Sequence, residues 1–435
     1  MLKNTFCSSP WFHVRVESDG EMHYCRWAPK QSTTQNIKNI PIKTYFNSSE
    51  LSSIRAQMLD GTEITSCSLC YDQDKVNKIS GRARQLCKSG IDLDHFEQSI
   101  ASSPHYGYFN FSAQHSGKTN SELADLQIDL GNYCNSECIM CSPRFSAKLG
   151  NTYKKLNWLD PKHNLYRDKF SGIYDWTSDK TALQKFITEL SQMPELRYIH
   201  LLGGETLAMP SFYAICQELI KTGINEHITL GLTTNGTIWR DDLKDLLSKF
   251  QSVNLGISIE TTHPVNDYIR YPGNITEIKT NILKFKELSL QSPNISIQLR
   301  TTPNALSVWH LDDLIKFQLE HKLYSESCHI LMKPEWLQFK VLPVDLRAEA
   351  AKKLLRVLPN SNITNNPNAR HSEQFESALI QDTLAIIKLL EQPVTEDIPL
   401  KQKLVQFLHE LESIRHNKIL DYLPDYEQFL RHYGY

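Results

Sequence analysis

The sequence predicts an α/β fold, a partial (β/α)6 barrel with a small N-terminal cysteine-bearing unit and a C-terminal helical region. Three observations lead there. From about residue 125 onward, short apolar runs alternate with stretches of helical period, the pattern of a parallel sheet with crossover helices. Eight of the ten cysteines, at 7, 25, 67, 70, 87, 134, 138 and 141, lie in the first third of the chain. After Leu342 and Pro343 the strand signal gives way to helical segments. The expected divisions are 1–100, 101–340 and 341–435.

Residues 1 to about 90 read as short strands around a turn at Asp19 and Gly20, then a helix near 51–59 and a cysteine-bearing loop. Barrel strands are expected at 126–130, 198–202, 228–233, 253–259, 295–301 and 328–332. Between them, Phe212, Ile215, Cys216, Leu219 and Ile220 fall on one helical stripe, as do Ile275, Ile278, Ile282 and Phe285. In the last division Leu354, Leu355, Val357 and Leu358 mark one helix and Leu404, Phe407, Leu408 and Leu411 another. The polar run 360–368 reads as a loop between helices.

Composition removes several classes of function. A net charge of −2 gives no long-range attraction to nucleic acid or anionic lipid. No window approaches the ~18 uncharged apolar residues needed to cross a bilayer. The first twenty residues carry Lys3, Arg15, Glu17 and Asp19, unlike a secretion signal. A cytoplasmic protein with no membrane partner and no clear nucleic-acid partner is therefore expected, and its cysteines point to metal ligation or buried thiols more than to disulfides.

The densest chemistry is Cys134-Asn-Ser-Glu-Cys138-Ile-Met-Cys141, directly after the strand expected at 126–130. Three thiolates then project from one loop at the C-terminal end of a strand, where parallel barrels place their active sites. A cubane iron–sulfur cluster takes four thiolates, one per iron, so three leave one iron open to another ligand. Closed structural zinc fits the triplet poorly, since no fourth ligand lies near it in sequence. At the other end of the chain Cys7, Cys25, Cys67 and Cys70 are enough for one closed cluster or, equally, for one tetrahedral zinc. Cys87 is left unassigned. Cys216 lies on an apolar helix stripe and Cys328 opens an apolar strand, so both read as packing residues. His13, His23 and His200 show no paired metal spacing and read as structural.

The C-x3-C-x2-C loop resembles the signature of the radical S-adenosylmethionine superfamily. That resemblance implies a 4Fe-4S cluster on Cys134, Cys138 and Cys141 whose open iron is chelated by S-adenosylmethionine. One electron from the cluster would then break the sulfonium bond and release a 5'-deoxyadenosyl radical. Further stretches are similar to the superfamily. Gly203, Gly204 and Glu205 end the second barrel strand, where glycines let backbone approach a ligand and Glu205 is expected to bind the methionyl ammonium. Ser258 and Glu260 close the fourth strand near the expected ribose, with Glu260 in place of the usual aspartate. Arg270 stands where a carboxylate-binding arginine is common and is expected to bind cofactor, with pairing to Asp267 on a solvated surface as the alternative. The turn Thr234-Asn235-Gly236 resembles one that approaches the adenosyl group.

The N-terminal cysteines resemble the half-SPASM domain called twitch, here placed before the barrel instead of after it, and imply a second, auxiliary 4Fe-4S cluster. Cysteines for a further auxiliary cluster are missing. The function implied is hydrogen-atom abstraction from a peptide or protein substrate, with an electron donor such as flavodoxin or ferredoxin. A nucleotide, sugar or other small metabolite is the alternative substrate, and a non-catalytic iron–sulfur or zinc-binding protein the alternative from another class. Residues 151–179, with Trp158, Tyr166, Tyr174 and Trp176, are expected to form a lid beside the cluster loop.

Overall fold

The computed structural model describes residues 2–26, 35–75, 80–167, 172–323, 330–359 and 371–435. Its centre is one seven-stranded sheet: β1 (His13–Val16), β2 (Met22–His23), β3 (Asp125–Asp129), β4 (Tyr198–Leu202), β5 (Thr229–Thr234), β6 (Ser252–Ser258) and β7 (Ile295–Arg300). The order is β2-β1-β3-β4-β5-β6-β7. All neighbours are parallel except β1 and β2, which form an antiparallel pair. Six parallel strands that do not close make the expected partial barrel.

The sixth parallel strand is not the one the sequence suggested. Of 328–332, Cys328 and His329 lie outside the described residues, and Ile330, Leu331 and Met332 carry no strand. The place is taken at the opposite edge by β1, which pairs with β3 in the register His13 to Asp125 and Val16 to Ile128. Alternation explains why β1 can serve: Val14 and Val16 are fully buried while Arg15 faces the polar side. The turn after it falls where expected, with Gly20 at φ +90°, a conformation that glycine adopts without strain.

The sheet's two faces differ. Leu126, Ile128, Ile199, Leu201, Leu230, Leu232, Val253, Leu255 and Ile257 are fully buried, packing outward against the crossover helices. Helices Pro210–Lys221 and Ile275–Gln291 bring Phe212, Ile215, Cys216, Ile278, Ile282 and Phe285 to that core. The concave face is polar: Arg15, Gln127, His200, Gly231, Asn254 and Ser296 share one row across the strands. An apolar stripe on one side and polar residues on the other leave the barrel interior available for ligand.

In the N-terminal region the helix Ser49–Asp60 is capped by the Ser48 hydroxyl, which accepts from the Leu51 amide at 3.3 Å, and it ends on Gly61 in the left-handed region. The C-terminal region is helical as expected, with Val344–Val357, His371–Glu391 and Ile398–Arg415. The loop expected at 360–368 lies outside the described residues. Among the described residues no helix is long and apolar enough to cross a membrane.

Candidate active site

The loop after β3 is held in place from four directions. Asn132, fully buried, donates to the Pro143 and Gly172 carbonyls at 3.1 and 3.0 Å and accepts from the Tyr174 amide, folding the loop back on itself. The Glu137 and Ile139 amides donate to the Tyr271 and Ile269 carbonyls at 2.6 and 2.9 Å. Arg167 donates to the Cys141 and Met140 carbonyls at 2.8 and 3.2 Å. Arg415, the last residue of helix Ile398–Arg415, donates to the Glu137 carbonyl, and its guanidinium lies 4.7 Å above the Tyr271 ring. Each contact satisfies backbone that a buried irregular loop would otherwise leave unpaired.

Cys134, Cys138 and Cys141 line one cavity of about 230 Å³ together with Ser136, Gly203, Gly204, Thr233, Thr234, Asn235, Ser258 and Arg270. The structure thus brings the triplet, the glycine pair, Ser258 and Arg270 to a single place at the C-terminal edge of the sheet. Burial raises all three thiols, Cys138 to about 12, with Arg270 opposing the shift at Cys138 and Cys141. Thiolates are stable here only when positive charge is brought to them. An iron–sulfur core supplies that charge, and the arginines suit the anionic complex that three thiolates make with it.

Several expected site residues act on the loop more than on the cavity. A side chain at Gly204 would collide with the Tyr133 backbone, so this glycine is needed for the close approach of the cluster loop. Glu205 is fully buried; its carboxylate accepts from the Leu207 amide at 3.1 Å, the Thr234 hydroxyl at 2.6 Å and the Asn235 amide at 2.6 Å. Burial raises its pKa even though these donors favour the charged form. Asn235 in turn donates to Asn135 and Ser136 at 2.7 and 3.1 Å, so the Thr234-Asn235-Gly236 turn grips the cysteine loop.

Arg270 pairs with Glu260, not with Asp267. Its Nη2 donates to Glu260 Oε1 at 2.8 Å, Nε donates to the other carboxylate oxygen, and Nη1 lies 3.8 Å from Cys138 Sγ. Asp267 instead accepts from the Ile275 amide at 2.6 Å. Glu260 is fully buried behind Arg270 and does not line the cavity. The expected lid also differs, because Trp158 stacks on Phe407 at 5.2 Å and Trp176 donates to the Asp129 carbonyl at 2.9 Å. Both indoles are buried, which makes them packing residues of the scaffold.

Cys7, Cys25, Cys67 and Cys70 converge on a second, apolar pocket with Tyr24, Tyr71 and Arg82. Cys7 feels the charges of the other three sulfurs, and burial pushes its thiol well above the usual range. The Tyr24 hydroxyl lies 3.5 Å from Cys67 Sγ and 2.6 Å from Ser66 Oγ. Among the described residues the one trio with ligand atoms all within 4.8 Å is His310, Asp312 and Asp313, so no three of these sulfurs are that close. A zinc ion about 2.3 Å from each thiolate would hold them about 3.8 Å apart. Four cysteines at one pocket are enough for a closed cubane, with one iron per sulfur, as well as for a tetrahedral zinc. Cys87 is exposed and outside this group, and Cys216 is fully buried among apolar residues as expected.

Residues that the sequence did not single out connect the two cysteine sites. Arg144, three residues beyond Cys141, pairs with buried Glu17 at 2.9 Å, and Arg15 of β1 pairs with Asp129 at 2.6 Å while donating to the Arg26 carbonyl at 3.0 Å. No local motif marks such pairs, since their partners lie more than a hundred residues apart in sequence. A larger open groove of about 910 Å³ lies between 37–44 and 180–193 and contains none of the cysteines.

Comparison with known proteins agrees with this chemistry. The Radical SAM superfamily profile matches residues 128–302, and the iron–sulfur cluster-binding SPASM domain matches residues 7–71. No curated protein matches the sequence. Among solved structures, native anSMEcpe with bound AdoMet is similar at 17% identity and a TM-score of 0.39, covering 54% of this chain and 60% of that one. Streptococcus suis SuiB bound to S-adenosylmethionine is similar at 13% identity and a TM-score of 0.37, covering 84% and 74%. TYW1 with a lysine-pyruvate adduct bound is similar at 17% identity and a TM-score of 0.28, covering 57% and 75%. The chain spans about 60% of the length of the first of these. The two matched domains fall on the cysteine triplet's loop and on the N-terminal quartet, so the chain carries a radical SAM domain over 128–302, with an iron–sulfur cluster-binding SPASM domain ahead of it.

Proposed function

We propose that this protein reductively cleaves S-adenosylmethionine and abstracts a hydrogen atom from a peptide or protein substrate. Supporting the cleavage step is the convergence of Cys134, Cys138 and Cys141 on one cavity that still has room beside them. When bound, a 4Fe-4S cluster and S-adenosylmethionine supply an electron and the radical precursor. Gly203, Gly204, Ser258 and Arg270 bind and orient the cofactor from the cavity wall, with Glu205 and Glu260 fixing the turns behind them. Arg270, already committed to Glu260, keeps positive charge beside Cys138. The crossover helices and the C-terminal helices exclude water from the back of the loop.

On the same reading Cys7, Cys25, Cys67 and Cys70 hold an auxiliary 4Fe-4S cluster that takes up an electron or holds substrate. The divisions 1–100, 101–340 and 341–435 carry the auxiliary cluster, most of the barrel and the buttress, with β1 and β2 of the first division joining the barrel sheet, in a cytoplasmic enzyme served by a donor such as flavodoxin or ferredoxin. The open, polar concave face favours a substrate that can lie across several strands, which supports a peptide over a compact metabolite. Anaerobic enzyme reconstituted with iron and sulfide, then given S-adenosylmethionine and reductant with peptide or metabolite panels, tests this. Peptides are expected to accelerate 5'-deoxyadenosine release. Acceleration by metabolites alone would overturn the peptide assignment, and a colourless protein holding only zinc would remove the enzymatic one.

A further inference from the structure

Among the described residues, one guanidinium on the polar face of the sheet has no carboxylate partner. Arg300, at the end of β7, reaches back across β6 to Thr233 of β5, donating from Nη1 to the hydroxyl at 2.9 Å. It can do so only because residue 256 is glycine; a Cβ there would collide with the arginine side chain. Thr233 also contacts His200 Nε2 at 3.2 Å, and burial together with Arg300 holds that imidazole well below its usual pKa. The neighbour is therefore a neutral ring and supplies no counter-charge.

Four other guanidiniums around the barrel face carboxylates. Arg15 faces Asp129, Arg26 faces Asp125, Arg144 faces Glu17 and Arg270 faces Glu260. Arg300 has no carboxylate partner among the described residues, and it is only half-buried. Its position is close to the chemistry: Thr233 and Ser258 line the cysteine cavity, and Ser258 is the register partner of Arg300. A half-buried fork of donors beside residues that line the cavity, with no carboxylate to balance its charge, is a receptor for an oxyanion. One arginine without a second cation matches a singly charged carboxylate better than a doubly charged phosphate.

We propose that Arg300 anchors a carboxylate of the substrate on the concave face of the sheet, orienting the neighbouring carbon toward the cofactor cavity. This rests on the peptide reading above, and the carboxylate is then a peptide C-terminus or an acidic side chain. Gly256 is the positioning residue that lets the guanidinium lie across β6.

The test uses immobilised full-length enzyme with both clusters reconstituted and S-adenosylmethionine bound. Three pools of random hexapeptides are passed over it: free C-terminus without Asp or Glu, amidated C-terminus with Asp or Glu, and amidated without either. Retained peptides are counted by mass spectrometry. One of the first two pools is expected to be enriched over the third by roughly tenfold, the worth of one charge-assisted contact. Which pool it is identifies the source of the carboxylate. Arg300→Gln is expected to abolish the enrichment, and Gly256→Ala, which keeps the charge but displaces it, to reduce it. Iron content of each variant checks that the fold is intact. Equal retention of all three pools by the wild type, or enrichment that survives Arg300→Gln, would overturn the proposal. Failure of the wild type to form 5'-deoxyadenosine would instead count against the enzymatic reading and leave the binding result standing.

Discussion

The two cysteine sites are built on opposite plans. Cys134, Cys138 and Cys141 come from one eight-residue stretch at the edge of a sheet, beside a cavity of about 230 Å³ lined by glycine, serine and threonine. Cys7, Cys25, Cys67 and Cys70 are spread over more than sixty residues of sequence, in an apolar pocket closed by Tyr24, Tyr71 and Arg82. The first set is one ligand short of a cubane and the second is complete. An incomplete set next to open space suits a centre that binds a reactant, and a complete set inside the fold suits a centre that only carries charge or braces the chain.

Breaking each site separately gives the largest effects. Cys138→Ala is expected to abolish 5'-deoxyadenosine formation while the auxiliary iron stays, measured by product chromatography and iron analysis on the same sample. Cleavage at the wild-type rate would mean that the open site is not the catalytic one. Cys67→Ala is expected to remove about four irons per chain yet leave some cleavage uncoupled from substrate. Unchanged iron content in that variant would place no cluster on the quartet, and the contrast between the two sites would disappear.

Much of the contrast was legible in the sequence because it depends on short spacings. The triplet is local, and strands such as Tyr198–Leu202 announce themselves by apolar runs between turn signals. What was not legible depends on contacts between distant segments. β1 has only four residues, and nothing in His13–Val16 says that it will pair with β3 and stand in for the strand expected at 328–332. In sequence Arg270 and Glu260 each resemble cofactor contacts, with Asp267 as the nearby alternative partner of Arg270, and their mutual pairing is a tertiary fact that no local pattern shows. The glycine pair was read as making room for ligand, whereas Gly204 first makes room for the Tyr133 backbone.

The C-terminal helices show the same limitation and provide a smaller test. Arg415 is almost wholly buried, and its guanidinium Nη2 donates to the Glu137 carbonyl between Cys134 and Cys138. Arg415→Ala leaves that carbonyl unpaired, at a cost of about 1–3 kcal/mol. The loss is local to the open site, so during a chelator challenge the variant should release iron from the triplet faster than the wild type. The quartet, on the far side of the sheet's β1 edge, should release its iron at the unaltered rate. Two iron-loss phases monitored by absorbance in the Cys67→Ala and Cys138→Ala backgrounds separate the sites, and equal acceleration of both would show that Arg415 supports the whole fold and not this loop.

The smallest expected effect concerns the closed site alone. The Tyr24 hydroxyl, 2.6 Å from Ser66 and 3.5 Å from Cys67 Sγ, is a proton donor aimed at a ligand sulfur in an apolar pocket. Hydrogen bonds to cluster sulfurs stabilise the more negative, reduced state and so raise the reduction potential. Tyr24→Phe keeps the ring and removes only the hydroxyl, so the auxiliary potential should move to a more negative value with iron content unchanged. Measuring it in the Cys138→Ala background, by potentiometric titration followed by electron paramagnetic resonance, isolates the quartet's signal. The open site has Arg270 in the corresponding place, 3.8 Å from Cys138, and its potential should be indifferent to Tyr24. No shift in the quartet, or an equal shift of the open site when Tyr24→Phe is measured in the Cys67→Ala background, would mean that the hydroxyl does not tune one cluster independently of the other.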